Sequence, residues 1–412
     1  MNSGQNPRGA APGADPHQGP TGFGQPDCPP EVVELQGRVR AFVRDRVMPC
    51  EPVLDAGGAA ARTALRGLQV EAKQAGLWAL PLPVECGGQG IGLSHYAPLA
   101  EAEGASDHGA AALGSGPLLD VLMLTRHADE GVTDRWVPGI ASGELRSSYA
   151  MTEPDTPGTD PALTATRARA EPDGSWTLEG RKWFITGAGD ADLVTVLART
   201  GAAETGTGGL SLFVVPASAA GFTVVREVPV LGAGGQWEIA LDGVTVPSDH
   251  LVGEPGQALR IAGERLRLGR VLRALRWLGQ AERAFELMCV RAGSRRQASG
   301  PLADRQLVQQ MVFDSLLAIR STRPVVYEAV HRLAAGDDAR LETGLAKVAA
   351  ARMLQQVADA AIQVHGAAGL GPDTALPGLF RTGRAARLLD GPDELHIAAV
   401  ARRVLRGYRV TS

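Results

Sequence analysis

Apolar and polar positions follow two different periodicities in different parts of the chain. From Glu31 onward, apolar side chains recur every three or four residues, which is the spacing of one face of a helix. This spacing predicts further helices over 62–76, 94–103 and 116–127. Gly76 is expected to close the first of these, because glycine readily adopts the left-handed conformation that ends many helices. We therefore expect an N-terminal α-helical domain over residues 31–146.

Between residues 147 and 255 the pattern changes to alternation with a period of two. Short apolar runs between Gly and Pro turns predict strands over 176–178, 193–198, 210–215, 222–228 and 238–246. Short strands at this spacing predict a small antiparallel β-barrel or sandwich as the central domain.

From residue 256 to residue 412 the pattern is helical again. Four long runs are expected over 257–292, 302–335, 340–366 and 392–407. Pro324 is expected to break or kink the second run, because proline lacks the donor that a helix interior needs. Helices, then strands, then helices predict an α+β fold with a helical domain, a small antiparallel β-barrel and a four-helix bundle. Residues 1–30 are rich in Gly and Pro, and we expect them to form a disordered tail.

Composition removes several classes of function. The net charge of −4 gives no sign of a nucleic-acid partner. The four cysteines are scattered, so neither a metal site nor a disulfide framework is expected, and a cytoplasmic protein is predicted. No run is long and apolar enough for a membrane span. Lysine occurs at Lys73, Lys182 and Lys347 only, which we interpret as a lineage bias without functional content.

The most specific pattern lies between residues 147 and 200. It consists of T-E-P at 152–154, G-T-D at 158–160 and GRKWFITGAGDAD at 180–192. The order and spacing of these motifs resemble the flavin-binding segment of the acyl-CoA dehydrogenase family. A flavin ring needs hydrogen-bond partners along one edge and apolar cover over one face. The hydroxyls of Thr152 and Thr186 and the ring of Phe184 could provide them.

The resemblance implies bound FAD and a homo-oligomer, either a dimer or a tetramer. Residues matching cofactor contacts within one subunit are Met151, Thr152, Gly158, Thr159, Phe184 and Thr186. Residues matching contacts made across a subunit interface are Arg296, Gln306 and Gln363, and Gly366 and Glu394 complete the cofactor-binding set.

A second informative segment, D-G-P-D-E at 390–394, stands where the family carries its catalytic base, and a branch of the family has these same residues. The resemblance makes Asp390 the base. Gly391 and Pro392 resemble a helix start with proline at its first position, which would place Asp390 near the positive end of a helix dipole. The alternative from the local sequence is that Asp390 is a capping carboxylate.

The resemblance also implies substrate contacts by Thr159, Arg270 and Gly391. Some family members place the base on the first bundle helix. Glu264 is the nearest acidic residue there, but the aligned position is Gly269, so Asp390 is preferred. His365 is interpreted as a structural turn residue. The chain departs from the family pattern at Cys86, Phe184, Ser299, Ala367 and Pro392.

The function that the resemblance implies is FAD-dependent α,β-dehydrogenation of an acyl-CoA or carrier-protein-bound acyl thioester. An electron-transfer flavoprotein is the expected electron acceptor. One alternative is a flavin oxidase or monooxygenase on the same fold. Another is a degenerate homologue that acts as a binding subunit without catalysis.

Overall fold

The computed structural model describes residues 28–201, 206 and 208–408, and its first part is helical. The helices are α1 (Pro30–Phe42), α2 (Glu51–Ala56), α3 (Gly58–Gln74), α4 (Leu93–Gly104), α5 (Gly109–Ala112), α6 (Leu118–His127) and α7 (Glu130–Ser142). Helix α1 begins at Pro30, the last residue of the expected tail. Residues 1–27 of the expected tail lie outside the described residues.

The end of α3 shows how the sequence sets a boundary. Gly76 has φ +65°. Its N–H donates to the Lys73 carbonyl at 3.1 Å, and the Leu77 N–H donates to the Ala72 carbonyl at 2.9 Å. This pair of bonds is a Schellman motif, which satisfies carbonyls that the helix leaves free. The predicted closure at Gly76 is confirmed.

The central part is one eight-stranded sheet, and the two strands of a small hairpin follow in the last third of the chain. The strands are β1 (Ser147–Ala150), β2 (Arg167–Ala170), β3 (Trp176–Thr186), β4 (Leu193–Arg199), β5 (Leu210–Pro216), β6 (Phe222–Glu227), β7 (Gln236–Val246), β8 (Leu251–Val252), β9 (Arg296–Gln297) and β10 (Gly300–Pro301). The strand order of the large sheet is β6-β7-β3-β2-β4-β5-β8, and β1 pairs with β4.

The expectation of a purely antiparallel sheet needs one correction. Strands β1 and β2 both pair with β4 in the parallel sense, whereas the remaining pairs of the sheet are antiparallel. A parallel pair needs a crossover connection, which alternation alone does not reveal.

The last part is the helical bundle, formed by α8 (Ala258–Ser294), α9 (Gln306–Ala334), α10 (Arg340–His365), α11 (Leu376–Ala386) and α12 (Asp393–Arg406). The four predicted runs are present, and α11 is an additional helix that the sequence reading missed. Helix α9 continues through Pro324 without a break. Buried Ile319 and Val326 lie on either side of this proline, and their packing offsets the hydrogen bond that it cannot make. The α+β fold class is confirmed.

A buried ion cluster joins the N-terminal helices to the bundle. Arg323 of α9 is 1% exposed. Its Nη2 lies 3.1 Å from Glu101 Oε2 of α4 and also contacts Glu282 of α8. The largest hydrophobic core likewise contains residues of both helical parts and of the sheet. In the part of the chain described here, no helix is long and apolar enough to cross a membrane.

Candidate active site

The loop before α12 has an unusual backbone. Asp390 has φ +54° and Gly391 has φ +96°, and side-chain-bearing residues rarely adopt such values. The expected position of Pro392 is wrong by one residue, because Pro392 is the N-cap and α12 begins at Asp393. The loop closes through the Asp393 N–H, which donates to the Arg387 carbonyl at 3.0 Å.

The backbone of Asp390 is held from two sides. Its carbonyl accepts a hydrogen bond from Arg270 Nε at 3.1 Å and lies 3.1 Å from His396 Nε2. Burial, followed by the charge of Arg270, lowers the pKa of His396. The ring is therefore neutral near pH 7, and the short contact assigns its proton to Nε2.

The carboxylate of Asp390 is held less firmly than its backbone. Its Oδ2 lies 2.7 Å from Arg273 Nε and forms an ion pair. This buried oxygen nevertheless accepts no aligned hydrogen bond from the described residues. A carboxylate oxygen that accepts no hydrogen bond is poorly stabilised, and for that reason it is suited to accept a proton. Within the described residues the N-terminus of α12 makes no hydrogen bond to this carboxylate, and Arg273 is its ion-pair partner.

The next acidic residue, Asp393, anchors the loop. It is fully buried, and its oxygens lie 3.0 Å from Lys347 Nζ, 3.0 Å from Arg387 Nε and 3.3 Å from Arg352 Nε. Burial raises the pKa of Asp393, but the hydrogen bonds from Lys347 and Arg387 outweigh it and the pKa falls. Asp393 is therefore a charged anchor that ties the start of α12 to α10.

The flavin segment is built around a β-bulge in β3. The pairing of β3 with β7 shifts register between Lys182 and Ile185, and Phe184 within the bulge has φ +52°. The bulge turns the Phe184 ring outward, where it is 43% exposed and lies 4.6 Å from the Trp183 ring. Thr152 is fixed beside it, since its hydroxyl donates to the Trp183 carbonyl at 2.7 Å.

A buried ion pair holds the T-E-P turn against β3. Lys182 Nζ lies 2.9 Å from Glu153 Oε1 and 3.1 Å from the Met151 carbonyl. Glu153 also accepts the N–H groups of Ala165 and Thr166 at 2.7 and 2.9 Å. Burial opposes the charge of Glu153, but Lys182 and these hydrogen bonds outweigh it and lower the pKa to about 2. Burial lowers the pKa of Lys182 to about 8, so both partners are charged near pH 7.

The interpretation of lysine usage as a lineage bias does not account for these positions. Two of the three lysines, Lys182 and Lys347, are fully buried in ion pairs beside the candidate site. The rarity of lysine was the signal that could have found them. An ammonium on a flexible stem fits a point contact that a planar guanidinium does not.

The other predicted flavin residues of this segment lie beside the turn. A small cavity is lined by Met151, Thr152, Gly158 and neighbouring residues. A Cβ added at Gly158 would lie 2.9 Å from Thr152 Cγ2, so the backbone of Gly158 packs closely against the Thr152 side chain. Thr159 is exposed next to it. The exposed hydroxyl of Thr186 hydrogen-bonds with Gln236 at 3.0 Å. An outward aromatic ring with hydroxyls on either side fits a flavin ring.

The residues expected to contact FAD across an interface lie elsewhere. Arg296 follows α8, Gln306 begins α9 and Gln363 lies near the end of α10; all three are exposed, as is Gly366. The hairpin β9–β10 joins the first two helices, and Arg291 Nη2 donates to the His365 carbonyl at 3.4 Å. These residues therefore share one end of the bundle.

That end of the bundle is far from the loop at 390–392 before α12, which we call the base loop. From Arg270 to Arg291, helix α8 rises about 30 Å. Within one chain, the residues at the bundle end therefore do not meet Asp390. Glu394, by contrast, is exposed on the first turn of α12, beside the base loop.

The remaining candidates have partners of their own. Glu264 Oε2 lies 2.9 Å from His127 Nε2, so this alternative base is engaged elsewhere. A Cβ at Gly269 would lie 3.1 Å from Leu119 Cδ1. His365 Nδ1 lies 2.8 Å from the Ala361 carbonyl, as a structural residue would. Among the described residues, no group of acidic, His or Cys side chains could hold a metal ion.

Comparison with known proteins places the three parts of the chain in one family. The acyl-CoA dehydrogenase N-terminal, middle and C-terminal domain families match residues 29–144, 148–244 and 256–405. The chain is 34% identical to FadE2 of Mycobacterium tuberculosis, a probable acyl-CoA dehydrogenase by name, over 92% of this chain and 97% of that protein. It is 29% identical to (R)-benzylsuccinyl-CoA dehydrogenase of Thauera aromatica, over 93% and 97%.

Longer relatives and solved structures agree. The chain is 31% identical to acyl-CoA dehydrogenase family member 11 of Rattus norvegicus over 90% of its length, but spans only 50% of that relative. The structure of an acyl-CoA dehydrogenase homologue from Mycobacterium abscessus has a TM-score of 0.87 at 34% identity, covering 93% of this chain and 100% of that one. Butyryl-CoA dehydrogenase of Megasphaera elsdenii shares the fold, with a TM-score of 0.83 at 22% identity, over 93% and 100% of the two chains. The chain therefore belongs to the acyl-CoA dehydrogenase family of flavoprotein oxidoreductases.

Proposed function

We propose that this protein catalyses FAD-dependent α,β-dehydrogenation of an acyl thioester, with Asp390 as the base that takes the α-proton. The observation that carries the proposal is the carboxylate of Asp390. Its backbone is fixed by Arg270 and His396, while its buried Oδ2 accepts no aligned hydrogen bond from the described residues. A general base needs a fixed loop and a carboxylate oxygen that accepts no hydrogen bond, and here the charged neighbour Arg273 makes no aligned hydrogen bond to that oxygen.

The loop also supplies a donor for the thioester oxygen. The Gly391 N–H makes no hydrogen bond within the described backbone, and it follows the base directly. A donor at this point would stabilise the negative charge that develops on the thioester oxygen as the α-proton leaves. FAD, when bound, would supply the acceptor for the β-hydrogen. The exposed face of Phe184 and the hydroxyls of Thr152 and Thr186 would hold its ring.

The partners follow from family membership rather than from a contact on this chain. We propose an electron-transfer flavoprotein as electron acceptor, a homo-oligomeric assembly and a cytoplasmic location. Coenzyme A and a carrier protein are both candidate carriers of the acyl group. Ser299 and Pro392, where the chain departs from the family, stand in the hairpin at the bundle end and before α12. We expect these two changes to affect the affinity for FAD more than any other property.

The test is anaerobic flavin reduction by acyl thioesters in the parent, Asp390→Asn and Asp390→Glu. Asp390→Asn keeps the shape and removes the basic carboxylate, so the reduction rate should fall by roughly 10² to 10⁴-fold while FAD and thioester still bind. Asp390→Glu moves the carboxylate outward, and a displacement of about 1 Å costs on the order of 100-fold.

Two outcomes would contradict the proposal. Asp390→Asn that reduces its flavin as fast as the parent would place the base elsewhere, with Glu264 the next candidate. Hydrogen peroxide formed in air, without need of an electron acceptor, would instead identify an oxidase or monooxygenase.

A further inference from the structure

The charges around Asp390 do not balance. Arg265 is paired with Asp120 at 2.7 Å, and Lys347 is paired with Asp393 at 3.0 Å. Arg270 and Arg273 of α8 also face the base loop. Arg270 reaches the Asp390 carbonyl and forms no ion pair with a carboxylate of the described residues, whereas Arg273 pairs with the Asp390 carboxylate. Two guanidinium groups therefore share one carboxylate.

The imbalance grows during the proposed reaction. When Asp390 takes a proton it becomes neutral, the negative charge passes to the substrate, and both guanidinium groups lose the carboxylate beside them. An apolar acyl chain would also displace water from them, and an uncompensated cation in a low-dielectric site is costly. Burial, only partly offset by Asp390, already lowers the pKa of Arg270. An apolar substrate would therefore oppose the proton transfer that the loop is built to perform.

An anionic substituent on the acyl group would remove this conflict. A carboxylate can accept two parallel hydrogen bonds from a guanidinium group. The Arg273 side chain is 39% exposed, so it is open to a ligand. Pairing with the substrate would release Asp390 from Arg273 and leave the base free to accept the proton. It would also keep a negative charge beside the two arginines once Asp390 is neutral.

We propose that the acyl group carries a second carboxylate, which Arg273 binds with support from Arg270, so that the substrate is the thioester of a dicarboxylic acid. The inference rests on the proposed function and names its substrate class. It adds no covalent step, because Arg273 only exchanges one carboxylate partner for another. Arg273 is a specificity residue in this scheme, and Asp390 remains the base.

Binding of unreactive thioethers tests this without catalysis. S-(4-carboxybutyl)-CoA and S-pentyl-CoA are closely matched in chain length, and neither has the carbonyl that makes the α-proton acidic. Calorimetric titration of the FAD-loaded parent should show the carboxylate form binding roughly 10- to 100-fold more tightly, the range for a charge-assisted contact. Shorter and longer matched pairs locate the carboxylate along the chain.

Substitutions assign the preference to one residue. Arg273→Gln should reduce the ratio of the two dissociation constants to about threefold or less, and Arg273→Lys should retain part of it. Arg260→Gln is the matched control, because Arg260 lies on α8, is exposed and pairs with Glu264. It should keep the parent ratio.

Two results would overturn the inference. The first is a parent that binds every matched pair equally or prefers the apolar member. The second is a full preference that both Arg273→Gln and Arg273→Lys retain. Each result leaves the role of Asp390 intact, because thioether binding requires no proton transfer. If Asp390→Asn is inactive while the parent binds the two thioethers equally, the proposed base stands and the dicarboxylic substrate is contradicted.

Discussion

At the scale of single residues, two consecutive residues with positive φ set the orientation of the proposed base. Asp390 carries this conformation with a side chain, and Gly391 carries it without one. A Cβ at Gly391 would lie 2.9 Å from Leu395 Cδ2 and 3.1 Å from His396 Nε2. The glycine therefore both permits the turn and leaves room for the histidine that supports Asp390.

Gly391→Ala should lower the free energy of unfolding by roughly 1–3 kcal/mol, the cost of a side chain in a disfavoured backbone region. Flavin reduction by a thioester should slow as well, because the loop must shift near His396. Urea unfolding and anaerobic rapid mixing measure the two effects.

Gly67→Ala is the matched control. Gly67 lies within α3, and no atom stands within 4 Å of its added Cβ. Alanine should stabilise the protein there by about 0.5–1 kcal/mol through helix propensity. Equal responses of the two variants would show that the base loop does not depend on the conformation of Gly391.

At the scale of elements, the flavin segment depends on a turn and a strand held together by one buried ion pair. Lys182 and Glu153 are 0% and 5% exposed. Breaking such a pair leaves one charge buried without a partner, which costs about 3–5 kcal/mol. The same pair fixes Met151 and Thr152 beside the Phe184 bulge, so stability and cofactor binding should change together.

Glu153→Gln should lower the free energy of unfolding at pH 7 by about 3–5 kcal/mol and reduce the FAD content. The difference in unfolding free energy between the parent and Glu153→Gln should become smaller as the pH is lowered. The folded-state pKa of about 2 lies below the ordinary value of 4.5, so the stability from this carboxylate is complete above pH 4.5 and falls as the pH drops toward 2. Urea unfolding at pH 7, 4.5 and 3 measures the narrowing.

Glu71→Gln serves as the control for this experiment. Glu71 pairs with Arg46 on the surface at 2.7 Å, where solvent weakens the interaction. Its effect should be much smaller than that of Glu153→Gln. A difference between parent and Glu153→Gln that stays constant from pH 4.5 to pH 3 would contradict the depressed pKa.

At the scale of the whole molecule, the residues expected to bind FAD form two groups on one chain. The first lies around the T-E-P turn, and Glu394 lies beside the base loop. The second, with Arg296, Gln306 and Gln363, is exposed at one end of the bundle, beyond the roughly 30 Å rise of α8. A site that uses both groups requires residues from two subunits.

Complementation between inactive variants would reveal such a shared site. Asp390→Asn lacks the base, and the double variant Arg296→Ala/Gln363→Ala lacks donors at the bundle end. Each alone should be inactive or FAD-poor. In mixed dimers, one of the two sites would combine the intact halves, so equal mixing should restore about a quarter of the sites.

The measurement is flavin reduction after the two variants are unfolded and refolded together with FAD, compared with separately refolded samples combined afterwards. Only joint refolding should restore activity. No recovery from subunits shown to exchange would place the complete site within one chain.

Much of the fold could be predicted from the sequence, because periodicity and local turn chemistry are properties of neighbouring residues. The four long bundle runs, the first residues of β3, the strands from β4 to β7 and the closure of α3 at Gly76 follow from such patterns. Helix α11 and the continuity of α9 through Pro324 could not be predicted this way, since packing against distant elements decides them. The parallel pairing of β1 and β2 with β4 is also set by long-range contacts.

The candidate site divides in the same way. By itself, the sequence determined the T-E-P turn, the D-G-P-D-E segment and the family to which they belong, because order and spacing along the chain carry that information. Only the tertiary structure decided that Arg273 pairs with Asp390 and that Lys182 and Lys347 are buried beside the site. The sequence does not distinguish a charged residue on the surface from one in a buried ion pair. The surroundings of a buried charge form only when distant segments fold together and exclude water.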